Sequence, residues 1–307
     1  MDTLFVANLL AASVRIAVPL VLGALGGLLS ERAGIFAVGI EGMMLAGAFG
    51  AAVGTFIGGS VMVGLACAIL GAAGIAAIVA VAVTRFRADQ MVTGLAVGIL
   101  SLGLTSFLIR GLFGGHAPVI RLDVLGAIAI PYLSDLPVLG SAVFRQPPLT
   151  CAAVAIVVLM HLFLHRTRAG LTLRASGENP EAVFAAGNDP VRVRQIAVIA
   201  GGAIAGLGGA VLVLQDVGTF TDGMTSGRGF LALAAVIVGR WTPFGALAAC
   251  LVFGAATAIE VRLQGVDLPV SSYVIQMVPY ALALLVLAGL GRGTRMPQAI
   301  GRPYNAG

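Results

Sequence analysis

Lysine is absent from the 307-residue chain, whose 18 basic residues are all arginine. The common phosphate-binding loop uses a lysine to contact the β- and γ-phosphates of a nucleotide, so the chain cannot hydrolyse ATP by that route. Cysteine is also scarce. The three cysteines lie within apolar runs without metal-site spacing, and we expect them to pack in the core. The first ten residues, MDTLFVANLL, lack the basic start of a cleavable signal peptide.

Patterns of catalytic or ligand-binding residues are missing as well. The glycine clusters fall on apolar helical stretches rather than after strands, which argues against a dinucleotide site. We find no clustered catalytic groups in the sequence. We therefore expect no catalytic residue, no metal and no cofactor in this chain, and no nucleic-acid partner.

The small fraction of charged residues indicates whether the chain is surrounded by water or by lipid. Only 10% of the residues are charged, against about 25% in soluble proteins. Hydrophobic residues make up 59%, and the mean hydropathy is +1.05. Such a chain could not cover the surface of a soluble domain, and the runs 149–164 and 196–214 approach the ~20 residues that cross a bilayer. The composition predicts a protein with several membrane spans.

The apolar segments predict an all-α membrane bundle of about 8–10 transmembrane helices, with broken or re-entrant segments. Segment 228–239 is too short to cross alone, so it is half of a broken helix or a re-entrant piece. The Pro- and Gly-rich connection 114–148 could also dip toward the membrane. The predicted segments are 4–29, 35–57, 60–84, 91–113, 149–165, 194–214, 228–239, 243–262 and 271–290.

Arginine indicates the orientation of this bundle. With nine segments, twelve arginines fall on one side and six on the other. The positive-inside rule then places the N-terminus outside and the C-terminus in the cytoplasm. Glycine pairs spaced by four predict closely packed helices, although a Gly-rich chain also produces such pairs by chance. These pairs include Gly23/Gly27, Gly50/Gly54/Gly58, Gly94/Gly98 and Gly202/Gly206.

The segment 166–194 is a polar island on the predicted cytoplasmic side. Asn179 is a good N-cap, Pro180 suits the first helical position and Glu181 faces the positive end of the helix dipole. Gly187 supplies a left-handed stop. These signals predict a short helix over 180–186, with the apolar side chains of Val183 and Phe184 exposed. Such a helix could dock in a groove of another protein, or lie as an ordinary loop against the lipid headgroups.

Three stretches resemble one family, in the order that the family has them. In chain order they are SERAGIFAVGIEGMMLAGAF at 30–49, LRASGENPEAVFAAG followed by VRVR, and GRGFLALAAVIVGRWTPFGALAACLVFG at 227–254. They resemble ABC-transporter permeases of the branched-chain amino acid/ribose group. Within that group they look like the simple-sugar/nucleoside branch, specifically the shorter paralogue of purine-nucleoside importers. The family commonly has Asn where this chain has Ala37.

The resemblance implies a single permease domain over 1–307, with a cytoplasmic coupling loop at 166–194 that fits a separate ABC ATPase. That ATPase would bind the ATP and Mg, so the chain itself is not expected to be an enzyme. Further partners would be a second permease (a paralogue or a second copy), a substrate-binding lipoprotein or periplasmic protein, and lipid of a bacterial inner membrane. The implied coupling residues are Gly177, Glu178, Asn179, Pro180, Glu181, Val183, Phe184 and Gly187.

The expected function is ATP-driven import, with nucleosides ahead of simple sugars and branched-chain amino acids. An ion-coupled secondary transporter would need several paired acids at membrane depth, and only Glu41 qualifies. Glu41 is therefore a candidate pathway residue, or else a structural ion pair with Arg32. Trp241 is expected to be an interfacial anchor. Polar candidates for contact with a ribose or base are Gln90, Thr93, Thr105 and Gln215, although the Thr105 hydroxyl could instead bond to its own helix.

Overall fold

The computed structural model describes residues 3–114, 128–129, 145–264, 271–290, 296–302 and 304. Nearly all the secondary structure in these ranges is helical. The exception is a two-residue antiparallel pair, β1 (Ile128–Ala129) with β2 (Arg145–Gln146). The helices are α1 (Thr3–Arg32), α2 (Ile40–Gly58), α3 (Val61–Thr84), α4 (Gln90–Phe113), α5 (Pro148–Arg166), α6 (Arg168–Glu178), α7 (Pro180–Ala185), α8 (Pro190–Val211), α9 (Arg228–Val238), α10 (Pro243–Gln264), α11 (Ser272–Gln276) and α12 (Val278–Leu290).

Seven of the described helices are long and apolar enough to cross a membrane, which confirms the predicted bundle. Segment 228–239 forms α9, a helix of 11 residues that is about 16 Å long and cannot span alone. The predicted segment 271–290 is divided into α11 and α12 at Met277. Most of the connection 114–148 lies outside the described residues, and its predicted dip toward the membrane with it.

Helix α8 is the centre of the bundle and packs against α1, α2 and α3. Its glycines face the backbones of all three neighbours, and an added methyl group would overlap those atoms. Close approach of this kind stabilises helices in lipid, where the hydrophobic effect between helices is lost. Of the glycines singled out by their spacing, Gly202 and Gly206 lie in such contacts, while a methyl group at Gly98 would meet no atom within 4 Å. The pairs in contact are Gly201 with Gly26, Gly209 with Met44 and Gly206 with Ala72.

The last turns of α8 continue as a π-helix, Leu212–Val217, which ends at Gly218 with φ +75°.

The prediction that all three cysteines pack in the core needs one correction. Cys250 is buried and Cys67 is half-buried, but Cys151 lies exposed on α5. The sequence run around Cys151 is apolar because α5 presents an apolar outer face, and an apolar run in a membrane protein does not distinguish that face from the core.

The turn between α9 and α10 brings distant parts of the chain together. Arg240 and Trp241 both have left-handed backbones, with φ +54° and +52°. The Trp241 side chain is buried, and its indole Nε1 donates to Glu31 Oε2 at 2.5 Å. The prediction that Trp241 is an interfacial anchor is therefore wrong. Its polar atom is satisfied inside the protein, so it does not need the headgroup region.

Candidate functional site

The 166–194 loop folds much as its sequence indicates. Asn179 Oδ1 accepts the Ala182 amide at 3.1 Å, and Pro180 begins α7. Gly187 follows the helix with φ +83°. The next helix starts in the same way, because Asp189 Oδ1 accepts the Val191 amide at 2.9 Å. Local capping therefore defines a short helix between two membrane spans.

Fewer apolar side chains of α7 face solvent than the sequence predicted. Phe184 is 59% exposed, but Val183 is only 4% exposed. The prediction that both side chains are exposed is wrong for Val183. Neighbouring residues on a helix point about 100° apart, so a short helix lying on the protein exposes one and buries the other. The other predicted coupling residues that face solvent are Glu178, Asn179, Glu181 and Gly187, while Pro180 is half-buried.

Gly177 lies on the inner side of the loop, against the end of α1. A methyl group here would overlap the Arg32 carbonyl oxygen. The Gly177 carbonyl in turn accepts the Ala299 amide at 2.8 Å. Gly177 thus allows α6, the end of α1 and the C-terminal segment to meet. Its place in the family motif has a packing reason in this structure.

Arg194 organises the base of this loop, and the sequence analysis used it only as an orienting charge. Its side chain is buried, and it donates to three backbone carbonyls. Nε reaches Ala33 O at 3.1 Å, Nη1 reaches Arg302 O at 3.1 Å and Nη2 reaches Ser176 O at 3.3 Å. Arg194 therefore joins the α1–α2 connection, α6 and the C-terminal segment. Its sequence surroundings gave no separate signal, because Arg192 and Gln195 lie beside it in the same first turns of α8.

The C-terminal segment, residues 296–302 and Tyr304, forms one wall beside α7. The Gln298 amide donates to Glu178 Oε2 at 3.4 Å, and the rings of Phe184 and Tyr304 lie 6.5 Å apart. Between this segment and the start of α7 is a cleft of about 410 Å³ that carries both acidic and basic side chains. Its lining includes Glu178, Asn179, Pro180, Glu181, Arg194, Gln298, Arg302 and Tyr304.

Glu41 binds the N-terminus of α9. Its Oε1 accepts the Gly227 amide at 2.8 Å, and its Oε2 accepts the Gly229 amide at 2.6 Å. Both are free amides at the positive end of a helix, so the carboxylate caps the helix and complements its dipole. The suggested ion pair with Arg32 is wrong, because Arg32 Nε donates to Trp241 O at 2.7 Å instead.

A cavity of about 270 Å³ opens beside Glu41, between α2, α4 and the start of α9. Its walls are mostly apolar, with a few polar groups and one aromatic ring. This composition is typical of sites for small organic molecules. Of the five candidate pathway residues, Glu41 alone lines the cavity. The complete lining is Val38, Glu41, Leu45, Gly94, Leu95, Gly98, Ile99, Leu102, Gly223, Thr225, Ser226 and Phe230.

The other four candidates do not converge on this cavity. Gln90 Oε1 accepts the Phe36 amide at 2.6 Å, so it supports the connection between α1 and α2. The Thr105 hydroxyl donates to Ser101 O of its own helix at 2.8 Å. Gln215 Nε2 donates to the Thr150 hydroxyl at 3.2 Å, across to α5. Thr93 is half-buried on α4.

The sequence that forms this bundle is similar to those of known proteins. Residues 9–287 match the family described as "Branched-chain amino acid transport system / permease component". The chain belongs to this family. It is a multi-pass membrane protein and the permease subunit of an ABC importer. It is not itself an ATPase, and ATP binding lies with a partner ATPase.

Several similar curated proteins are named for a solute, which is either a nucleoside or glucose. The chain is 35% identical to the guanosine ABC transporter permease protein NupQ of Bacillus subtilis, with 96% of each chain covered. It is 34% identical to the nucleoside ABC transporter permease protein NupC of Lactococcus lactis, with 98% and 96% covered. It is 36% identical to the putative glucose ABC transporter permease protein TsgC13 of Haloferax volcanii, with 86% and 80% covered. No solved structure matches the chain significantly.

Proposed function

We propose that this chain is the shorter of two permease subunits in an ATP-driven nucleoside importer of a bacterial inner membrane. The observation that carries this proposal is similarity over nearly the whole chain to permeases named for guanosine and nucleosides. The relative named for glucose makes a simple sugar the second candidate. The family description makes a branched-chain amino acid the third.

The cavity beside Glu41 favours an uncharged solute. An amino acid would bring an ammonium and a carboxylate into a mostly apolar space, and each buried charge would need a partner. Glu41 is the one charged residue in the described lining, and its two oxygens already accept backbone amides. Phe230 adds an aromatic face, on which a purine base can stack.

Transport by the assembled importer tests the solute. The chain is reconstituted in vesicles with its second permease, its ATPase and its binding protein, and uptake of radiolabelled guanosine, glucose and leucine is measured with and without ATP. We expect ATP-dependent guanosine uptake that unlabelled guanosine suppresses and leucine does not. ATP-dependent uptake of glucose alone would replace nucleosides by sugars. Guanosine uptake by this chain alone, without ATP, would support an ion-coupled transporter.

The 166–194 loop is proposed as the contact with the ATPase. Glu178, Glu181 and Phe184 face away from the bundle, and the capped backbone of α7 gives them a fixed arrangement. A rigid, charged helix with one aromatic residue fits a groove on a partner protein. Gly177 and Val183 would support the loop by packing on its buried side. The cleft between α7 and the C-terminal segment extends the same surface.

Removal of the loop side chains tests this contact. When residues 178–181 are replaced by alanine and glycine, we expect membrane insertion to persist and ATP-driven uptake to be lost. Insertion is checked by the yield and the thermal unfolding of the purified permease. Uptake equal to that of the wild type would contradict coupling through α7.

The arginine distribution supports an outside N-terminus and a cytoplasmic C-terminus. This orientation would put α7 and the C-terminal segment on the side where an ATPase would bind. After replacement of the exposed Cys151 by serine, a cysteine at Asn188 and one at Ser60 mark the two ends of the bundle. We expect an impermeant maleimide to label Ser60→Cys in intact cells, and Asn188→Cys only after the membrane is opened. The opposite pattern would reverse the orientation.

A further inference from the structure

The short helix α9 is held at both ends by residues from other helices. At its N-terminus, Glu41 of α2 accepts the amides of Gly227 and Gly229. Beyond its C-terminus, the last turn of α1 holds Trp241 twice. Arg32 Nε donates to the Trp241 carbonyl at 2.7 Å, and Glu31 Oε2 accepts from the indole at 2.5 Å. The position of α9 thus depends on α1 as well as on α2.

The turn that α1 holds has an unfavourable backbone. Arg240 and Trp241 are not glycines, yet both have φ above +50°. A bulky residue in this region is strained, and it persists only where its surroundings fix it. The turn is held by its own backbone, in which the Trp241 amide donates to Val236 O at 3.0 Å, and by the Trp241 carbonyl and indole, which are both bonded to α1. A shift of the last turn of α1 would therefore be felt directly at the α9–α10 turn.

The same turn of α1 also contacts the 166–194 loop. The Arg32 carbonyl packs against Gly177, so Arg32 touches the loop with its backbone and the α9–α10 turn with its side chain. The next carbonyl, that of Ala33, accepts the Ser176 hydroxyl at 3.4 Å and Arg194 Nε at 3.1 Å. Contacts between these atoms run without a gap from the loop to α9.

The far end of this contact path is the cavity. Phe230 lies in the first turn of α9, and Gly223, Thr225 and Ser226 precede that helix. All four residues line the cavity beside Glu41. Because α9 is one short helix of about 16 Å, a shift or tilt imposed at its C-terminal turn is passed along it to the residues that line the cavity.

We propose that Glu31, Arg32 and Trp241 transmit movement of the 166–194 loop to α9, and that the resulting displacement of the first turn of α9 against α2 and α4 opens or closes the cavity. This proposal rests on the proposed coupling role of the loop. The three residues are positioning residues, since they line neither the cavity nor the outer surface of α7. Glu31 is fully buried and Trp241 nearly so, which makes their hydrogen bond costly to leave unmade.

The competing explanation is a static brace, which would hold the fold without taking part in transport. The two roles differ in the ratio of solute transported to ATP hydrolysed. Loss of a static brace lowers the yield of the complex, or lowers both rates together. Loss of a transmitting contact leaves the ATPase working while transport falls.

The test uses the complete importer in vesicles, with ATP hydrolysis and guanosine uptake measured on the same preparation. Trp241→Phe keeps an aromatic ring but removes the indole donor, and Glu31→Leu keeps an apolar side chain of similar size but removes the acceptor. We expect about tenfold less guanosine per ATP for each variant, with hydrolysis within about twofold of the wild type. Thr242→Ala is the matched control, because it removes bonds within the same turn but none to α1. Its ratio should equal that of the wild type.

A normal ratio in either Trp241→Phe or Glu31→Leu would overturn the proposal, and so would a parallel fall of uptake and hydrolysis. Failure of the proposed solute is a separate result, since the wild type would then not transport guanosine. In that case the same ratio is measured with the solute that the wild type does transport. Failure of coupling through the loop is also separate, because the variants at 178–181 would then behave as the wild type.

Discussion

The two short helices α7 and α9 are stabilised in opposite ways. Helix α7 has six residues and is capped by Asn179, which immediately precedes it. Helix α9 has 11 residues and begins after Gly227, whose own position supplies no side-chain cap. Its cap is Glu41, which lies 186 residues earlier in the chain. One helix is defined by its local sequence, and the other by the folded bundle.

This difference matches what each helix is proposed to do. A helix that caps itself keeps its shape while it moves with a partner, because it takes its first hydrogen bonds with it. A helix capped by a neighbour changes position when that neighbour moves, because the cap is also the attachment. Substitutions at the two caps should therefore differ in how much stability they remove and in how far from the cap their effects extend.

Removal of the Glu41 cap should have the largest effect. Glu41→Ala leaves two amides at the start of α9 without their acceptors, and we expect the free energy of unfolding to fall by about 2–3 kcal/mol. Guanosine uptake by the importer should be lost. Thermal unfolding of the purified permease and vesicle uptake measure the two effects.

The matched control is Glu260→Ala on α10. It removes a bond to Gln264 four residues along the same helix, so its effect should be a few tenths of a kcal/mol. Equal unfolding temperatures for the two variants would show that Glu41 does not support α9.

Arg194 should be next in size. Arg194→Met keeps an apolar stem but leaves the carbonyls of Ala33, Ser176 and Arg302 without this donor. We expect a loss of about 2 kcal/mol and faster proteolysis of the C-terminal segment. Arg192→Met is the control. Its ion pair with Asp189 is solvent-exposed at 3.3 Å, and such a pair contributes about 0.5 kcal/mol or less. Equal rates of proteolysis in both variants would show that Arg194 does not hold the C-terminal segment in place.

The same contrast explains which features could be predicted from the sequence. The start and end of α7 follow from Asn179 and Gly187, because caps act on residues within one turn. The short length of α9 was predicted from its apolar run. The loop, the membrane bundle and the glycine packing were therefore accessible from local patterns and spacing.

Long-range contacts were not accessible in this way. The burial of Trp241 depends on α1, which is distant in sequence, and that of Val183 on the way α7 packs against α6 and α8. Arg194 looked like one more cytoplasmic charge, since nothing beside it in the sequence shows three carbonyls converging on it. Glu41 was recognised as unusual at membrane depth, but its partners are backbone amides, and amides leave no trace in a sequence.

A smaller effect is expected at the local cap of α7. Asn179→Ala removes the acceptor for the Ala182 amide, which costs about 1 kcal/mol of helix stability. Because the cap acts locally, hydrogen exchange should accelerate at residues 180–186 and remain unchanged in α9. Asn179→Ser should restore slow exchange, since serine is also a good cap. Acceleration in both helices would remove the distinction between a local and a distant cap.

The smallest effect on stability, with a clear effect on binding, is expected at Phe184. Its side chain is 59% exposed, so Phe184→Ala should change the free energy of unfolding by about 0.5 kcal/mol or less. If Phe184 is the aromatic contact with the ATPase, binding of the purified subunit should weaken about tenfold. Leu171→Ala is the control, since Leu171 is 60% exposed on α6 but lies outside α7. Equal weakening by both variants would indicate a general loss of apolar surface, and would remove Phe184 from the specific contact.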